Sequence, residues 1–287
     1  MQKTGRTAVV ILAVLSAAAL MASCGRADDP VSMAPTEFES APAVVLHGSG
    51  DVLSVAVPEQ GEYIFTALAD GSVMMLDRAA RTPVRILKCH DGPVNDLVVS
   101  NSRDLLVTAG DDGSLKTWRL PSLEPAGKMP GHSNQIVAVA ISPDGHTIAS
   151  CGNNKTVRVW RIDSGLEPGT LAHTSTVRAA AFSPDGTILA SAGDDKIVRL
   201  WSVGDLNEIG TRSGHAGRIR DVAFSPDGRT LAAAGEDGAV LLWSVADAAA
   251  EPRTLMHAAM IWSIAFSPRG VAASIRGLRG CNSCLGS

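Results

Sequence analysis

The chain has 287 residues, a net charge of −4 and a sequence pI near 6.0. This length leaves room for one large domain and a short tail. The slightly acidic balance excludes the basic field that nucleic-acid binding requires, so we expect no nucleic-acid partner. Aromatic residues make up only 4% of a chain that is 45% hydrophobic. Ala, Val, Leu and Ile therefore form the core, and such residues suit short strands.

The first 23 residues have the pattern of a secretory signal. Lys3 and Arg6 give a positive start, and residues 8–22 are apolar. An apolar run of this length is too short to span a bilayer comfortably, and charge followed by apolar residues is typical of a signal peptide. We therefore predict that residues 1–23 direct export and are then removed.

The signal ends in Leu20-Met21-Ala22-Ser23-Cys24-Gly25, which resembles the lipobox of bacterial lipoproteins. The resemblance implies that Cys24 becomes the first mature residue and is lipidated on its sulfur, although Met21 stands where Leu is usual. Residues 24–41 are polar and suit a flexible tether. The expected location is the bacterial cell envelope, where the lipid anchor alone contacts the membrane. The alternative is an ordinary exported protein, soluble in the periplasm or secreted, cut after Ala27 with Cys24 incidental.

The rest of the chain repeats with a period near 42 residues. Histidines recur at His47, His90, His132, His173, His215 and His257. Tryptophans recur in phase at Trp118, Trp160, Trp201 and Trp243. Between them, the phrase Ser-Pro-Asp-Gly stands at 142–145, 183–186 and 225–228. Such regular self-similarity indicates an array of identical supersecondary units.

The fourth unit shows most clearly what one unit contains. Residues 177–182, 187–192 and 197–201 have the composition of strands, and a tight turn at 183–186 separates the first two. A weaker fourth strand follows at 208–211. Four short antiparallel strands per period match one blade of a β-propeller, which buries its faces only by stacking on its neighbours.

These units resemble WD40 repeats in Gly131-His132, Gly214-His215, the Ser-Pro-Asp-Gly turns and the Asp-then-Trp endings. The resemblance implies an all-β, WD40-type β-propeller over residues 42–287. It also implies that a strand at 43–46 completes the last blade and closes the ring. Because seven blades are commoner in that family, the ring either has six blades or is incomplete. The six repeats lie at about 44–83, 84–126, 127–167, 168–209, 210–251 and 252–287.

In the WD40 family, a His, a Ser or Thr, an Asp and a Trp of one blade form a hydrogen-bonded tetrad. The resemblance implies complete tetrads His90, Thr108, Asp112, Trp118 and His173, Ser191, Asp195, Trp201. Three further sets are incomplete, because Asn154 replaces the acid, Ala233 replaces the hydroxyl and Leu76 replaces the Trp. The same residue types form hydrolase triads. A catalytic group is needed once, however, so a set that recurs in successive units is interpreted as structural, and no catalytic residue is expected.

The last period departs from the others. Arg269 replaces the turn Asp, and residues 271–287 lack a β-branched third strand. Either the final blade has diverged, or the tail is read out of frame after Gly270, which we favour. Cys281 and Cys284 supply only two of the four ligands that zinc takes, so we interpret them as a chance pair or a local disulfide. No metal and no cofactor are expected.

Positions that vary between repeats at the rim of the propeller, where loops from all blades converge, are the better candidates for binding. Arg and Trp are favoured at interaction hot spots. The alternative is scattered solvated surface. The candidate partner-binding residues are Asn95, Arg178, Arg218, Arg220 and Trp262.

The expected function is that of a non-enzymatic protein–protein interaction scaffold, monomeric and tethered to the envelope. Its protein partner is not identified by the sequence. One alternative is a propeller enzyme or ligand-binding propeller with a site in the central channel. Another is a truncated or decayed propeller without stable activity.

Overall fold

The computed structural model describes residues 11–12, 44–45, 51–58, 61–100, 102–129, 131–165, 169–266, 273–277 and 282–285. The chain divides into two compact units, Met1–Asp51 and Val52–Ser287. In the first unit, β1 (Ile11–Leu12) pairs antiparallel with β2 (Val44–Val45). Because β1 is the described partner of β2, ring closure by residues 43–46 stays a prediction. Cys24 and His47 lie outside the described residues.

The second unit consists of six antiparallel sheets, each built from consecutive strands, which we call blades 1–6. Blade 1 contains β3 (Val52–Ala56), β4 (Tyr63–Leu68), β5 (Ser72–Asp77) and β6 (Pro83–Lys88). Blade 2 contains β7 (Val94–Ser100), β8 (Leu105–Gly110), β9 (Leu115–Arg119) and β10 (Glu124–Met129). Blade 3 contains β11 (Ile136–Ile141), β12 (Thr147–Gly152), β13 (Thr156–Arg161) and β14 (Gly169–Ala172).

Blade 4 contains β15 (Val177–Phe182), β16 (Ile188–Gly193), β17 (Val198–Ser202) and β18 (Glu208–Arg212). Blade 5 contains β19 (Ile219–Phe224), β20 (Thr230–Gly235), β21 (Ala239–Ser244) and β22 (Arg253–Met256). Blade 6 contains β23 (Ile261–Phe266), β24 (Ala273–Gly277) and β25 (Asn282–Leu285). The all-β propeller prediction is confirmed, with six blades of which the last has three strands among the described residues.

The Ser-Pro-Asp-Gly phrase forms the turn between the first two strands of a blade. In blade 4, Ser183 Oγ donates to Asp185 Oδ1 at 2.5 Å, and the Gly186 N–H donates to the Ser183 carbonyl at 2.8 Å. Gly186 has φ of 73°, and Gly145 and Gly228 have 73° and 71° at the same position. This left-handed conformation favours glycine, which explains why the phrase ends in Gly.

Neighbouring blades bury each other's apolar faces. Between blades 2 and 3, for example, Val107, Ala109 and Leu115 pack with Ile148 and Trp160. All five side chains are fully buried. At about 25 cal/mol per Å² of apolar surface, such seams supply the main favourable free energy of folding.

The inner strands are β3, β7, β11, β15, β19 and β23. Each packs on the next along the chain, whereas the described residues of β3 and β23 make no comparable contact with each other. Each inner strand also has a register irregularity near its start, as between Val94 and Asp96. Such bulges re-aim side chains, and the residues at them include Asn95, Arg178, Arg220 and Trp262.

Blade 6 differs from the sequence expectation. The sequence of residues 271–287 lacks a β-branched third strand, yet β25 forms a third strand there and pairs with β24, with Ala273 opposite Leu285 and Ile275 opposite Ser283. Main-chain hydrogen bonds form this strand without β-branched side chains. Cys281 and residues 286–287 lie outside the described residues, and the reading-frame explanation stays a prediction.

Candidate functional site

The four residues predicted as a tetrad in blade 2 form one hydrogen-bonded chain. His90 Nδ1 lies 2.9 Å from Asp112 Oδ1, and His90 Nε2 lies 2.8 Å from Thr108 Oγ1. The Trp118 indole N–H donates to Thr108 Oγ1 at 3.1 Å. The chain joins the loop before β7, the turn after β8 and strand β9. Their buried polar groups are thereby satisfied within the blade.

Burial decides the charge state of this set. It lowers the pKa of His90, although hydrogen bonding and attraction by Asp112 act in the opposite direction. The imidazole is therefore neutral near pH 7, with its Nδ1–H donating to Asp112 and its Nε2 accepting from Thr108. Burial also acts to raise the pKa of Asp112, but hydrogen bonds from Ser114 and His90 outweigh it and hold that pKa well below its usual range.

Blade 4 assembles its predicted set with one addition. His173 Nε2 lies 2.7 Å from Ser191 Oγ, and the Trp201 N–H donates to the same oxygen at 2.7 Å. His173 Nδ1 lies 3.3 Å from Asp195 Oδ2, to which Arg199 also donates at 2.5 Å. Burial, followed by the positive charge of Arg199, lowers the pKa of His173 to about 4.

Blade 3 forms the same arrangement with an amide in place of the carboxylate. His132 Nδ1 lies 2.8 Å from Asn154 Oδ1, and His132 Nε2 lies 2.8 Å from Ser150 Oγ. The Trp160 N–H donates to Ser150 Oγ at 2.8 Å. An uncharged oxygen therefore occupies the acid position without loss of the hydrogen-bonded chain.

Blade 5 lacks the hydroxyl. His215 Nδ1 lies 3.0 Å from Asp237 Oδ2, but Ala233 occupies the position of Thr108. Consequently, His215 Nε2 is buried without a hydrogen-bond partner in the part of the chain that the structure describes. A buried polar atom without a partner costs about 1–3 kcal/mol.

Sequence reasoning missed two carboxylates on the inner strands. Asp96 and Asp221 both lie six residues after the aligned histidine. Asp96 Oδ2 accepts the N–H of Val139 in blade 3, and Asp221 Oδ2 accepts the N–H of Ile264 in blade 6, both at 2.9 Å. Ser54 in blade 1 donates to Asp96 Oδ1 at 2.7 Å. Each carboxylate therefore fastens its own blade to a neighbour.

The pKa values of these two carboxylates are raised above their usual range. Burial raises the pKa of Asp96, and it raises the pKa of Asp221 to about 6. Repulsion by the charge of Asp96 makes a smaller contribution in the same direction to the raised pKa of Asp221. One signal in the sequence was available, since the same residue type recurs at equivalent positions in blades 2 and 5.

On the rim of blades 2 and 3, three amide side chains form a hydrogen-bonded cluster with the carboxylate of Asp111. Asn95 Nδ2 donates to Asp111 Oδ1 at 2.6 Å and to the Ile136 carbonyl at 2.7 Å. Gln135 Nε2 donates to Asp111 Oδ2 at 2.7 Å, and Asn153 Nδ2 donates to Gln135 Oε1 at 2.6 Å. The donors of Asn95, a predicted partner-binding residue, are thus already used within the protein.

On the rim of blade 4, an ion pair takes the place of the amide–carboxylate pair of blade 2. Arg178 donates to both carboxylate oxygens of Asp194, the second at 2.9 Å. Arg218 Nε in blade 5 lies 3.9 Å from Asp194 Oδ2, and the Arg218 side chain is 52% exposed. Of the three predicted arginines, Arg178 is neutralised within its blade, and Arg218 shares a carboxylate that Arg178 already occupies.

The rim of blades 5 and 6 combines an ion pair with an aromatic ring. Arg220 Nη2 donates to Glu236 Oε1, and the Arg220 guanidinium lies 4.4 Å from the centroid of the Trp262 ring. Trp262 remains 42% exposed. The structure thus brings Arg220 and Trp262 together, and it places Asp194 between Arg178 and Arg218. The partner-binding role of all five residues stays a prediction.

Two clefts between blades lie away from this rim. One, of about 260 Å³, is lined by residues of blades 1 and 2 that include Tyr63, Asp104 and Leu120. The other, of about 480 Å³, is lined by residues of blades 2 and 3 that include Arg119 and Asp163. Neither contains a tetrad residue or a predicted partner-binding residue.

Comparison with known families agrees with this geometry. Residues 41–77 match the family described as WD domain, G-beta repeat, and residues 93–276 match the family described as IFT122 first beta-propeller. No curated protein matches the chain at a significant level. Within the described ranges, no helix is long and apolar enough to cross a membrane. Because the second match covers well over half of its length, the chain belongs to the IFT122 first beta-propeller family of WD40-repeat propellers.

Proposed function

We propose that this chain is a non-enzymatic scaffold that binds a protein partner on the rim of blades 4–6. WD40 propellers generally mediate protein–protein interaction, so the family supports the general statement. One observation supports the placement of the binding surface on the rim of blades 4–6. Trp262 is a large aromatic side chain that stays 42% exposed, while the Arg220 guanidinium lies against its ring. Exposed Trp beside Arg is the composition of an interaction hot spot.

The tetrads support the non-enzymatic part of the proposal. A hydrolase nucleophile must reach its substrate, yet the hydroxyls of Thr108, Ser150 and Ser191 belong to residues that are 0% exposed. Each hydroxyl also lies within hydrogen-bond distance of both an imidazole and an indole N–H. The sets are therefore better suited to holding strands together than to attacking a substrate.

The tether is part of the same proposal and depends on the sequence alone. Residues 1–23 have the pattern of an export signal, and Cys24 stands at the end of a lipobox-like segment. A lipidated Cys24 would hold the propeller at the membrane surface of the envelope through buried acyl methylenes. The rim would then meet partners that are exposed at the same surface.

Partner capture by the full chain in its native membranes tests the rim. We expect Trp262→Ala to abolish the cross-linked partner while leaving the melting temperature within about 2 °C of wild type. Ile86→Ala is the matched control, because Ile86 on β6 is 55% exposed but belongs to blade 1, outside the proposed surface. If Trp262→Ala captures the same partner as wild type, the proposed surface is wrong.

Cys24→Ser tests the tether. We expect the variant to lose incorporation of a labelled fatty acid and to move from the membrane fraction to the soluble fraction. Cys89→Ser is the control, since Cys89 is buried in the propeller and plays no part in the anchor. Unchanged labelling of Cys24→Ser would exclude Cys24 as the lipidated residue.

A further inference from the structure

Charge is distributed unevenly around the rim. The rim consists of the loops that carry the aligned histidines, the turns that carry the tetrad acids and the starts of the inner strands. The rim of blades 1 and 2 carries four acids and one lysine, namely Asp70, Asp91, Asp111, Asp112 and Lys88. The rim of blades 3–5 carries five basic residues and four acids, namely Lys155, Arg178, Lys196, Arg218, Arg220, Asp194, Asp195, Glu236 and Asp237. One side of the rim is therefore acidic and the other basic.

Most charges on the basic side are used within the protein. Asp194 holds Arg178, and Glu236 holds Arg220. Asp195 and Asp237 bind the tetrad histidines, and Asp195 also binds Arg199. Three exposed cations remain, which we call the basic arc: Lys155 in blade 3, Lys196 in blade 4 and Arg218 in blade 5.

The cations of the basic arc are not neutralised by the described residues. Lys196 Nζ donates to the Ala216 carbonyl at 2.7 Å, which is a neutral partner. Arg218 reaches Asp194 only at 3.9 Å, and Arg178 already occupies that carboxylate. No ion pair of Lys155 occurs among the residues that the structure describes. The arc therefore presents a net positive surface that follows the rim across three consecutive blades.

The two lysines also occupy a position that does not suit them. Lys155 and Lys196 have φ of 65° and 66°, in the left-handed region. The equivalent turns of blades 1, 2 and 5 have Gly71, Gly113 and Gly238 there, with φ of 87°, 74° and 74°. Glycine adopts this conformation without strain, whereas lysine does not. Adjacent blades thus carry a basic side chain at a place where the fold alone favours glycine.

We propose that the partner presents an acidic, extended polypeptide segment that lies along the basic arc and places an apolar side chain on Trp262. This rests on the proposed function and names the chemical class of its partner. The cations stand on separate blades with Asp194 and Glu236 between them, so the surface matches spaced carboxylates better than the continuous charge of a nucleic acid or of an anionic membrane.

Fluorescence anisotropy with two defined peptides tests the class of partner. The probe is a short labelled peptide of alternating Glu and Ser that ends in Leu, and its twin has Gln in place of every Glu. We expect the purified chain to bind the Glu peptide at least about tenfold more tightly than the Gln peptide, and added salt to reduce that preference. Equal binding of the twins, or no binding of either, would overturn the proposal.

Lys155→Gly/Lys196→Gly is the decisive variant, because both turns are built on glycine in other blades and the fold is retained. We expect this variant to lose the preference for the Glu peptide without a lower melting temperature. Arg253→Gln is the matched control, since Arg253 is an exposed cation on β22, outside the arc. A preference that persists in the double glycine variant, or binding of phosphatidylglycerol vesicles in place of the peptide, contradicts the proposal.

The two proposals fail in different ways. If the peptide twins bind alike but Trp262→Ala still abolishes capture in membranes, the acidic class is wrong and the scaffold stands. If Trp262→Ala leaves capture unchanged, the surface itself is wrong.

Discussion

Blades 2 and 5 have the same chemistry on their inner strands and different chemistry in their tetrads. Asp96 and Asp221 occupy equivalent positions, and each accepts a main-chain N–H of a neighbouring blade at 2.9 Å. Blade 2 has the Thr108 hydroxyl between its imidazole and its indole. Blade 5 has Ala233 there, and His215 Nε2 is left without a partner among the described residues.

The difference indicates which part of a tetrad the fold requires. Blade 5 keeps the same strands as blade 2 although its hydroxyl is missing. In blade 5, Asp237 Oδ2 still accepts from His215 Nδ1 at 3.0 Å and from the Ala216 N–H at 2.8 Å. Blade 5 therefore forms with the contact between the acid position and the loop but without the hydroxyl, so the hydroxyl adds stability to a blade that is already formed.

Thr108→Ala gives blade 2 the composition of blade 5, and this is the largest effect that we expect. The substitution removes the partner of His90 Nε2 and of the Trp118 N–H at a residue that is 0% exposed, so water cannot replace the oxygen. We expect the free energy of unfolding to fall by about 3 kcal/mol. Chemical denaturation measures the loss. Thr108→Ser keeps the oxygen, and equal losses in both variants would contradict a hydrogen-bond origin.

Asp221→Asn tests the feature that the two blades share. Burial raises the pKa of Asp221 from 3.8 to about 6, so between these values the folded chain holds a proton that the unfolded chain releases. By linkage, this group makes the free energy of unfolding fall as pH rises from about 4 to about 6. We expect the fall due to Asp221 to amount to about 2 kcal/mol, and Asp221→Asn to abolish it.

The measurement is the difference between wild type and variant at each pH. His90 and His173 have lowered pKa values, and they contribute a pH dependence of the opposite sign to both proteins, which the difference removes. We expect Asp96→Asn to change the pH dependence of the free energy of unfolding in the same direction as Asp221→Asn, because burial also raises the pKa of Asp96. A difference that stays constant from pH 4 to pH 7 would contradict the assigned cause.

The seams that lead into blades 2 and 5 also differ. Arg212 on β18 and Leu87 on β6 occupy equivalent positions in the outer strands of blades 4 and 1. Arg212 faces blade 5, and Leu87 faces blade 2. Arg212 is 6% exposed and donates to the carbonyls of Ser244 and Val245 at 3.3 and 3.4 Å. Within the described ranges, no carboxylate lies within ion-pair distance of Arg212, and its Nε has no partner.

Arg212→Met makes this seam resemble the others. An apolar side chain of similar length removes a buried charge that no acid neutralises, so we expect the free energy of unfolding to rise by about 1.5 kcal/mol. Thermal and chemical denaturation measure the gain. Arg199→Met is the control, because Arg199 is paired with Asp195, and its loss should be destabilising. A loss of stability in Arg212→Met would show that its hydrogen bonds to the two carbonyls outweigh the burial of its charge.

The period of the sequence predicted the sheets and the tetrads because each is built within one repeat. His90, Thr108 and Asp112 lie within 22 residues of one another and recur in register, so alignment of the repeats was sufficient to group them. The same alignment predicted the missing hydroxyl at Ala233. It did not predict β25, because main-chain pairing leaves little trace in side-chain type.

Contacts between blades were harder to predict. Asp96 bonds Val139 and Asp221 bonds Ile264, each 43 residues away, and the acceptor of such a bond is a side chain but the donor is main chain. Because every residue except proline has a main-chain N–H, no residue type identifies the donor. The sequence therefore identifies only the acceptor of each bond. At the rim, Arg178 was singled out from the sequence, but its pairing with Asp194 was not, because it depends on the bulge at the start of β15.

Ala233→Ser is the converse of the first experiment and has the smallest expected effect. A hydroxyl at this position lies between His215 and Trp243, as Ser191 lies between His173 and Trp201, and supplies the partner that His215 Nε2 lacks. We expect the free energy of unfolding to rise by about 1 kcal/mol, which denaturation of the purified chain detects. The control is its neighbour, since Ala232→Ser places a hydroxyl in the apolar seam with blade 6, where it should be destabilising. If both serines lower stability equally, the orphaned imidazole does not limit blade 5, and the contrast with blade 2 must arise from its apolar packing.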